Sequence, residues 1–133
     1  MTVSGCEHQG GSRLADKVNL AAQFGRFNDH WSPKIVATLN DYDVKVVKVQ
    51  GEFVWHQHDE TDELFLVTAG QLRIHLQDRD DVILGAGELF VVPRGMRHCP
   101  VADAETHVLL LEPRDTVNTG DAELAGTAGE RLD

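Results

Sequence analysis

From Lys34 onward the chain is a series of short apolar runs, each closed by residues that favour turns, and few folds accommodate such punctuation. A strand with apolar Ile35, Ala37 and Leu39 in alternate positions is followed by turn chemistry at Asn40-Asp41-Tyr42-Asp43. Further strands are predicted over 44–49, 52–58, 63–68, 71–77, 82–84, 88–92, 96–102 and 106–112. Gly51, Gly70, residues 78–81, 85–87 and 93–95 interrupt them. Short strands at this spacing, with no helical pattern alternating between them, predict an all-β antiparallel sandwich or jelly roll and argue against a parallel α/β sheet.

Outside the strands, Val18, Leu20, Ala21, Phe24 and Phe27 recur at spacings of three and four. This predicts one short amphipathic helix over Asp16–His30, with Asp16 as its cap. Residues 1–16 are polar and aperiodic and are expected to form a disordered tail. Residues 114–133, rich in Gly, Thr, Asp and Ala, are expected to be extended or disordered. The folded unit is then a single domain over 17–113, in keeping with a length of 133 residues.

Charge and composition exclude several classes. The net charge of −10 repels phosphate backbones, and the Lys and Arg residues form no stripe, so nucleic acid is not an expected partner. No apolar run reaches the roughly 20 residues of a membrane helix, which predicts no membrane partner. The start of the chain lacks a secretory pattern, which predicts cytoplasmic residence. Cys6 and Cys99 are too few for a disulfide framework and are expected to be free thiols.

The chemistry concentrates in Gly51-Glu-Phe-Val-Trp-His56-Gln-His58-Asp-Glu-Thr-Asp-Glu63. Alternation along a strand points His56 and His58 to one face, with Phe53 and Trp55 on the other, and a reversal after the loop brings Glu63 alongside. A second stretch, Gly87-Glu-Leu-Phe-Val-Val-Pro93-Arg-Gly95-Met-Arg-His98, has a Pro-Gly turn followed by a histidine that opens the next strand. A hairpin on the facing wall presents His98. Three imidazole nitrogens and one carboxylate oxygen suit a divalent transition metal ion, Fe(II), Mn, Co, Ni or Zn, and leave two octahedral positions open.

These two stretches resemble the paired motifs of the cupin superfamily. The first motif runs Gly, His-x-His, Glu, Gly and is matched by Gly51, His56, His58, Glu63 and Gly70. The second is matched by Gly87, Pro93, Gly95 and His98. Two positions depart from the pattern: four residues rather than five separate Gly51 from His56, and Ala102 stands where the second motif usually ends in Asn. The resemblance covers residues 34–113 and implies a double-stranded β-helix, or jelly-roll barrel, with His56, His58, Glu63 and His98 as metal ligands.

Other candidate residues have plainer readings. His75 alternates with Ile74 and Leu76 and is expected at the solvent face, while His107 is expected to be a packed histidine rather than a donor beside the site. Cys99, next to His98, is expected on the opposite face as a buried, inert thiol. Arg94 and Arg97 flank the second turn, where they are expected to be solvated or to attract a carboxylate. Asp59, Glu60 and Asp62 read as a wet loop, and Phe53 and Trp55 as packing in the core or in a homodimer interface.

The expected function is a small-molecule enzyme of the dioxygenase or isomerase/lyase type, binding a carboxylate or enolic anion at the open metal positions. The alternative is a non-catalytic cupin module that binds a small ligand or a metal.

Overall fold

The computed structural model describes residues 16–132. Expectations for residues 1–15, including the free Cys6, lie outside the described residues. The described elements are α1 (Leu20–Phe24), β1 (Lys34–Leu39), β2 (Tyr42–Glu52), β3 (Glu63–Ala69), β4 (Gln71–Leu76), β5 (Arg79–Gly85), β6 (Leu89–Val92), β7 (His98–Pro113) and β8 (Glu130–Arg131). The architecture is the expected all-β jelly roll with one short helix.

The long strand β7 organises the barrel. Along one side it pairs antiparallel with β2 from Tyr42↔Pro113 to Glu52↔Val101. Along the other side its first half pairs with β4 (Leu76↔His98) and its second half with β3 (Leu64↔Leu111). One strand thus belongs to both layers, and a core led by Val47, Phe65, Val67, Leu72, Ile74 and Val108 fills the space between them. Period-two alternation explains the choice: Phe65 and Val67 are buried while Leu64 and Leu66, which alternate with them, are half-exposed.

Three expectations need correction. The helix is a single five-residue turn rather than fifteen residues, and Asn19, not Asp16, caps it by accepting a 2.9 Å hydrogen bond from the Ala22 amide. Gly25 ends it, yet the apolar spacing retains its meaning, since Phe24 and Phe27 pack together over Val46. Second, β2 stops at Glu52, and residues 53–58 are not a regular strand but a segment tied to β7 by the Phe53 amide to the Pro100 carbonyl and by a single bridge, His56↔His98. Third, the segments predicted over 96–102 and 106–112 fuse into the single strand β7.

The segment after β7 is packed against the barrel. Glu130–Arg131 pairs in parallel with Lys34–Ile35, Asn118 Nδ2 donates to the Trp31 carbonyl, and Asp121 accepts a 2.8 Å hydrogen bond from the Gln57 amide. Gly120, at φ +53°, fits so closely that a Cβ there would collide with the Gln57 carbonyl oxygen and meet His56 Cδ2 at 3.0 Å. Composition predicts an extended or disordered segment; the short strand β8 and these contacts depend on residues distant in sequence.

Gly120→Ala should lower the unfolding free energy by about 1–3 kcal/mol, through the left-handed backbone and the clash with Gln57. Urea denaturation measures this, and an unchanged midpoint would mean that the segment does not pack on the barrel.

Candidate metal centre

His56, His58, Glu63 and His98 come from three places in the chain and meet inside the barrel. His56 and His98 are directly opposite in an antiparallel bridge, each amide donating to the other's carbonyl at 3.0 and 2.9 Å, so their side chains leave the same face. Their ring centroids lie 4.3 Å apart. His58, two residues further, sets its ring edge-on to His56 at 5.1 Å, and Glu63 opens β3 beside them. The two loops are stitched together, since the Gly95 amide donates to the His58 carbonyl and the Arg94 amide to Asp62 Oδ1.

One potential ligand atom from each of the four residues lies within 4.8 Å of every other, and all four residues are buried. His58 Nε2 and His98 Nε2 approach Glu63 Oε1 at 3.2 and 3.4 Å. Neither contact is aligned as a hydrogen bond, and all three atoms are buried without a partner. A buried polar atom left unpaired costs about 1–3 kcal/mol. A divalent cation at their common centre would satisfy all three.

The backbone selects the tautomers that such an ion needs. His56 Nδ1 lies 2.9 Å from the Val54 carbonyl and His98 Nδ1 lies 2.9 Å from the Met96 carbonyl. A carbonyl oxygen only accepts, so both rings carry a proton on Nδ1 and, when neutral, present the Nε2 lone pair to the centre. Burial, and then the neighbouring His98, push the His56 ring down to about 4, which keeps it neutral. Burial opposes charge on Glu63 as well, but the close approach of the His58 and His98 rings outweighs it and holds the carboxyl well below its ordinary range. At His58 burial disfavours the charged ring, yet Glu63 outweighs it and raises the pKa.

Two spaces adjoin the centre. Inward lies a cavity of about 30 Å³ among apolar and aromatic side chains, including Trp31, Phe53, Phe65 and Leu110, with Glu63 on its wall. Outward, His58 lines a cleft of about 470 Å³ between the 57–61 loop and residues 113–121. Phe53 differs from its expected outward position: the irregular backbone after Glu52 turns it toward the interior, edge-on to His56 at 5.5 Å and stacked on Trp31 at 4.6 Å. Trp55 is 43 % exposed.

The remaining candidates lie elsewhere. His75 pairs with Asp81 at the surface, and His107 stacks on Phe24 at 4.4 Å on the outer side of β7. Burial pushes the fully enclosed Cys99 thiol up to about 11, which keeps it protonated and inert. Arg94 is exposed, and Arg97 reaches Asp121 at 3.5 Å. Sequence reasoning missed Lys45 and Glu112, a fully buried pair joined at 2.8 Å. Their signal was phase, since Lys45 alternates inward with Val47 and Val49, and Glu112 with Val108 and Leu110.

A pH dependence follows for the metal-free protein. The folded His56 binds its proton only below about 4, against 6.5 for the unfolded ring, so between these values the unfolded state holds more protons and stability falls on acidification. His58 has the opposite sign, because its raised pKa adds stability that is lost as pH rises. Metal-free His56→Phe should therefore show a shallower loss of melting temperature from pH 6.5 to 4 than the metal-free wild type, by differential scanning fluorimetry. Identical slopes would show that His56 titrates normally.

A family model for the cupin domain matches residues 44–114, a span that holds all four residues. The uncharacterized protein YdbB of Bacillus subtilis is 35 % identical over 80 residues, 60 % of this chain and 71 % of that protein. The crystal structure of a cupin-2 domain containing protein from Shewanella frigidimarina is 47 % identical with a TM-score of 0.71, over 73 % of this chain and 94 % of that one. Hydroquinone 1,2-dioxygenase from Sphingomonas sp. TTNP3, solved with 4-hydroxybenzoate bound, shares the fold at 21 % identity and a TM-score of 0.68, over 74 % of this chain and 32 % of that one. With its jelly-roll topology, its converging His-His-Glu-His cluster and the matched span, the chain belongs to the cupin domain family.

Proposed function

We propose that His56, His58, Glu63 and His98 hold one divalent transition metal ion, Fe, Mn, Co, Ni or Zn. At this ion the protein acts as an enzyme on a small molecule, by dioxygenase or isomerase/lyase chemistry. The observation that carries this reading is the set of buried, unpartnered ligand atoms between an apolar cavity and a solvent-facing cleft. When bound, such an ion supplies Lewis-acid polarisation of a substrate oxygen.

The chain's own residues supply the surroundings. Val54 and Met96 hold the protons of His56 and His98 on Nδ1, and Phe53, Trp31 and Phe65 keep the inner side dry. Asp59, Glu60, Asp115 and Asp121 make the outer cleft acidic around Arg114. A carboxylate or enolic anion therefore gains its affinity at the centre itself, not along the approach. The likeness to hydroquinone 1,2-dioxygenase supports small-molecule binding only as something this fold can host. The inner cavity favours a second reading: at about 30 Å³ it is far smaller than the pockets of roughly 300–1,000 Å³ that enclose organic ligands, as suits a module that binds a metal without catalysis.

The outer sheet face supports self-association. Leu64 and Leu66 of β3, Leu89 and Val91 of β6, and Leu109 and Leu111 of β7 lie side by side on the face opposite the core. An antiparallel sheet with one solvated face normally alternates apolar and polar, whereas these strands are apolar on both. We read this face as a homodimer contact, rather than Phe53 and Trp55, for which the sequence leaves core packing and a dimer interface as alternatives.

Elemental analysis of wild-type protein should find about one equivalent of transition metal, and His98→Ala should lose most of it. Equal trace metal in both would remove His98 from the ligand set. With the identified ion restored, an oxygen-uptake and substrate-depletion screen separates the readings: turnover supports the enzyme, whereas a loaded but silent protein supports the binding module. Light scattering should find a dimer for the wild type and a monomer for Leu66→Arg; a wild-type monomer would overturn the homodimer.

A further inference from the structure

Because Leu64 faces Leu111, the next residues along the β3–β7 pair, Glu63 and Glu112, also fall opposite each other, both in the inward phase. Glu112 is fully buried, as is Lys45 on the neighbouring strand β2. Lys45 Nζ donates to Glu112 Oε1 at 2.8 Å and to the Thr116 carbonyl at 3.1 Å, so one side of the Glu112 carboxyl is anchored. The other oxygen, Oε2, is buried without a hydrogen-bond partner, as is Glu63 Oε1.

Stability is a poor explanation for such a pair. Removing two charges from water offsets most of their attraction, and replacing a buried ion pair by apolar residues is often neutral or stabilising. The positions of Lys45 and Glu112 continue rows held by Val47 and Val49 on β2 and by Val108 and Leu110 on β7, where apolar side chains would extend the core. Polar groups there require a local reason, and the neighbour in reach is the carboxylate of the metal centre.

We infer that Lys45 and Glu112 are positioning residues for that centre, with Glu112, anchored by Lys45, setting the orientation of the Glu63 carboxylate and hence the strength and geometry of metal binding. The inference rests on the metal-centre reading above. Glu63 has one backbone attachment and several side-chain torsions, so a fixed neighbour removes freedom that ion binding would otherwise have to remove.

The test uses three full-length proteins, wild type, Glu112→Gln and the double variant Lys45→Met with Glu112→Leu, each stripped with a chelator and reloaded with Co(II). Affinity is read by chelator competition, coordination by the visible spectrum, and fold by melting of the metal-free forms. Both variants should bind Co(II) about 10–100-fold more weakly with shifted visible bands. The double variant should melt, metal-free, at or above the wild-type temperature. Wild-type affinity and spectrum in either folded variant would overturn the positioning role while leaving the metal centre intact, and Glu112→Gln decides alone if the double variant does not fold. Failure of the wild type to bind Co(II) would instead overturn the metal-centre reading, and the inference with it.

Discussion

A carboxylate enclosed in a protein interior is costly unless other groups replace the water it has lost, and Glu63 is enclosed almost completely. The arrangement around it follows from that constraint. Two imidazole nitrogens approach one of its oxygens, a third imidazole is held neutral nearby, and a lysine-anchored acid stands opposite. Within the protein alone these groups relieve the charge of Glu63 without forming aligned hydrogen bonds to it. The groups are complementary to a cation rather than to one another.

The fold delivers this arrangement through one strand. β7 begins with His98, passes through the core residues Val108 and Leu110, and reaches Glu112 one residue before its end, so the same strand carries a centre residue and the acid that faces Glu63. Its bridge to His56 brings in the first histidine, and its pairing with β3 brings in Glu63. Strand register, fixed by burial of one face, therefore sets the geometry of the centre as well as that of the core.

Much of this was legible in the sequence. Turn residues between short apolar runs indicated an antiparallel barrel, and the order of Gly51, His56, His58, Glu63, Gly87 and His98 indicated which residues the barrel would gather. The four do converge. Local regularity is less legible: alternation implies a strand through residues 53–58 with Phe53 facing outward, whereas the irregular backbone there turns it within. Apolar spacing overstates the helix because it persists past Gly25, where the chain still packs but no longer coils. Lys45 and Glu112 went unread because a charged residue in the inward phase looks like an exception to the pattern, and only the pairing of distant strands shows that the two exceptions meet.

The segment after β7 touches the centre through its back. Gly120 rests on the carbonyl of Gln57 and on the ring edge of His56, and Asp121 caps the Gln57 amide. The matched family span stops at residue 114, so this buttress is built from sequence outside the shared barrel. Substitutions there press on the backbone that carries His56 and His58 without touching the barrel core, so the placing of those two rings is set partly by sequence beyond the matched span.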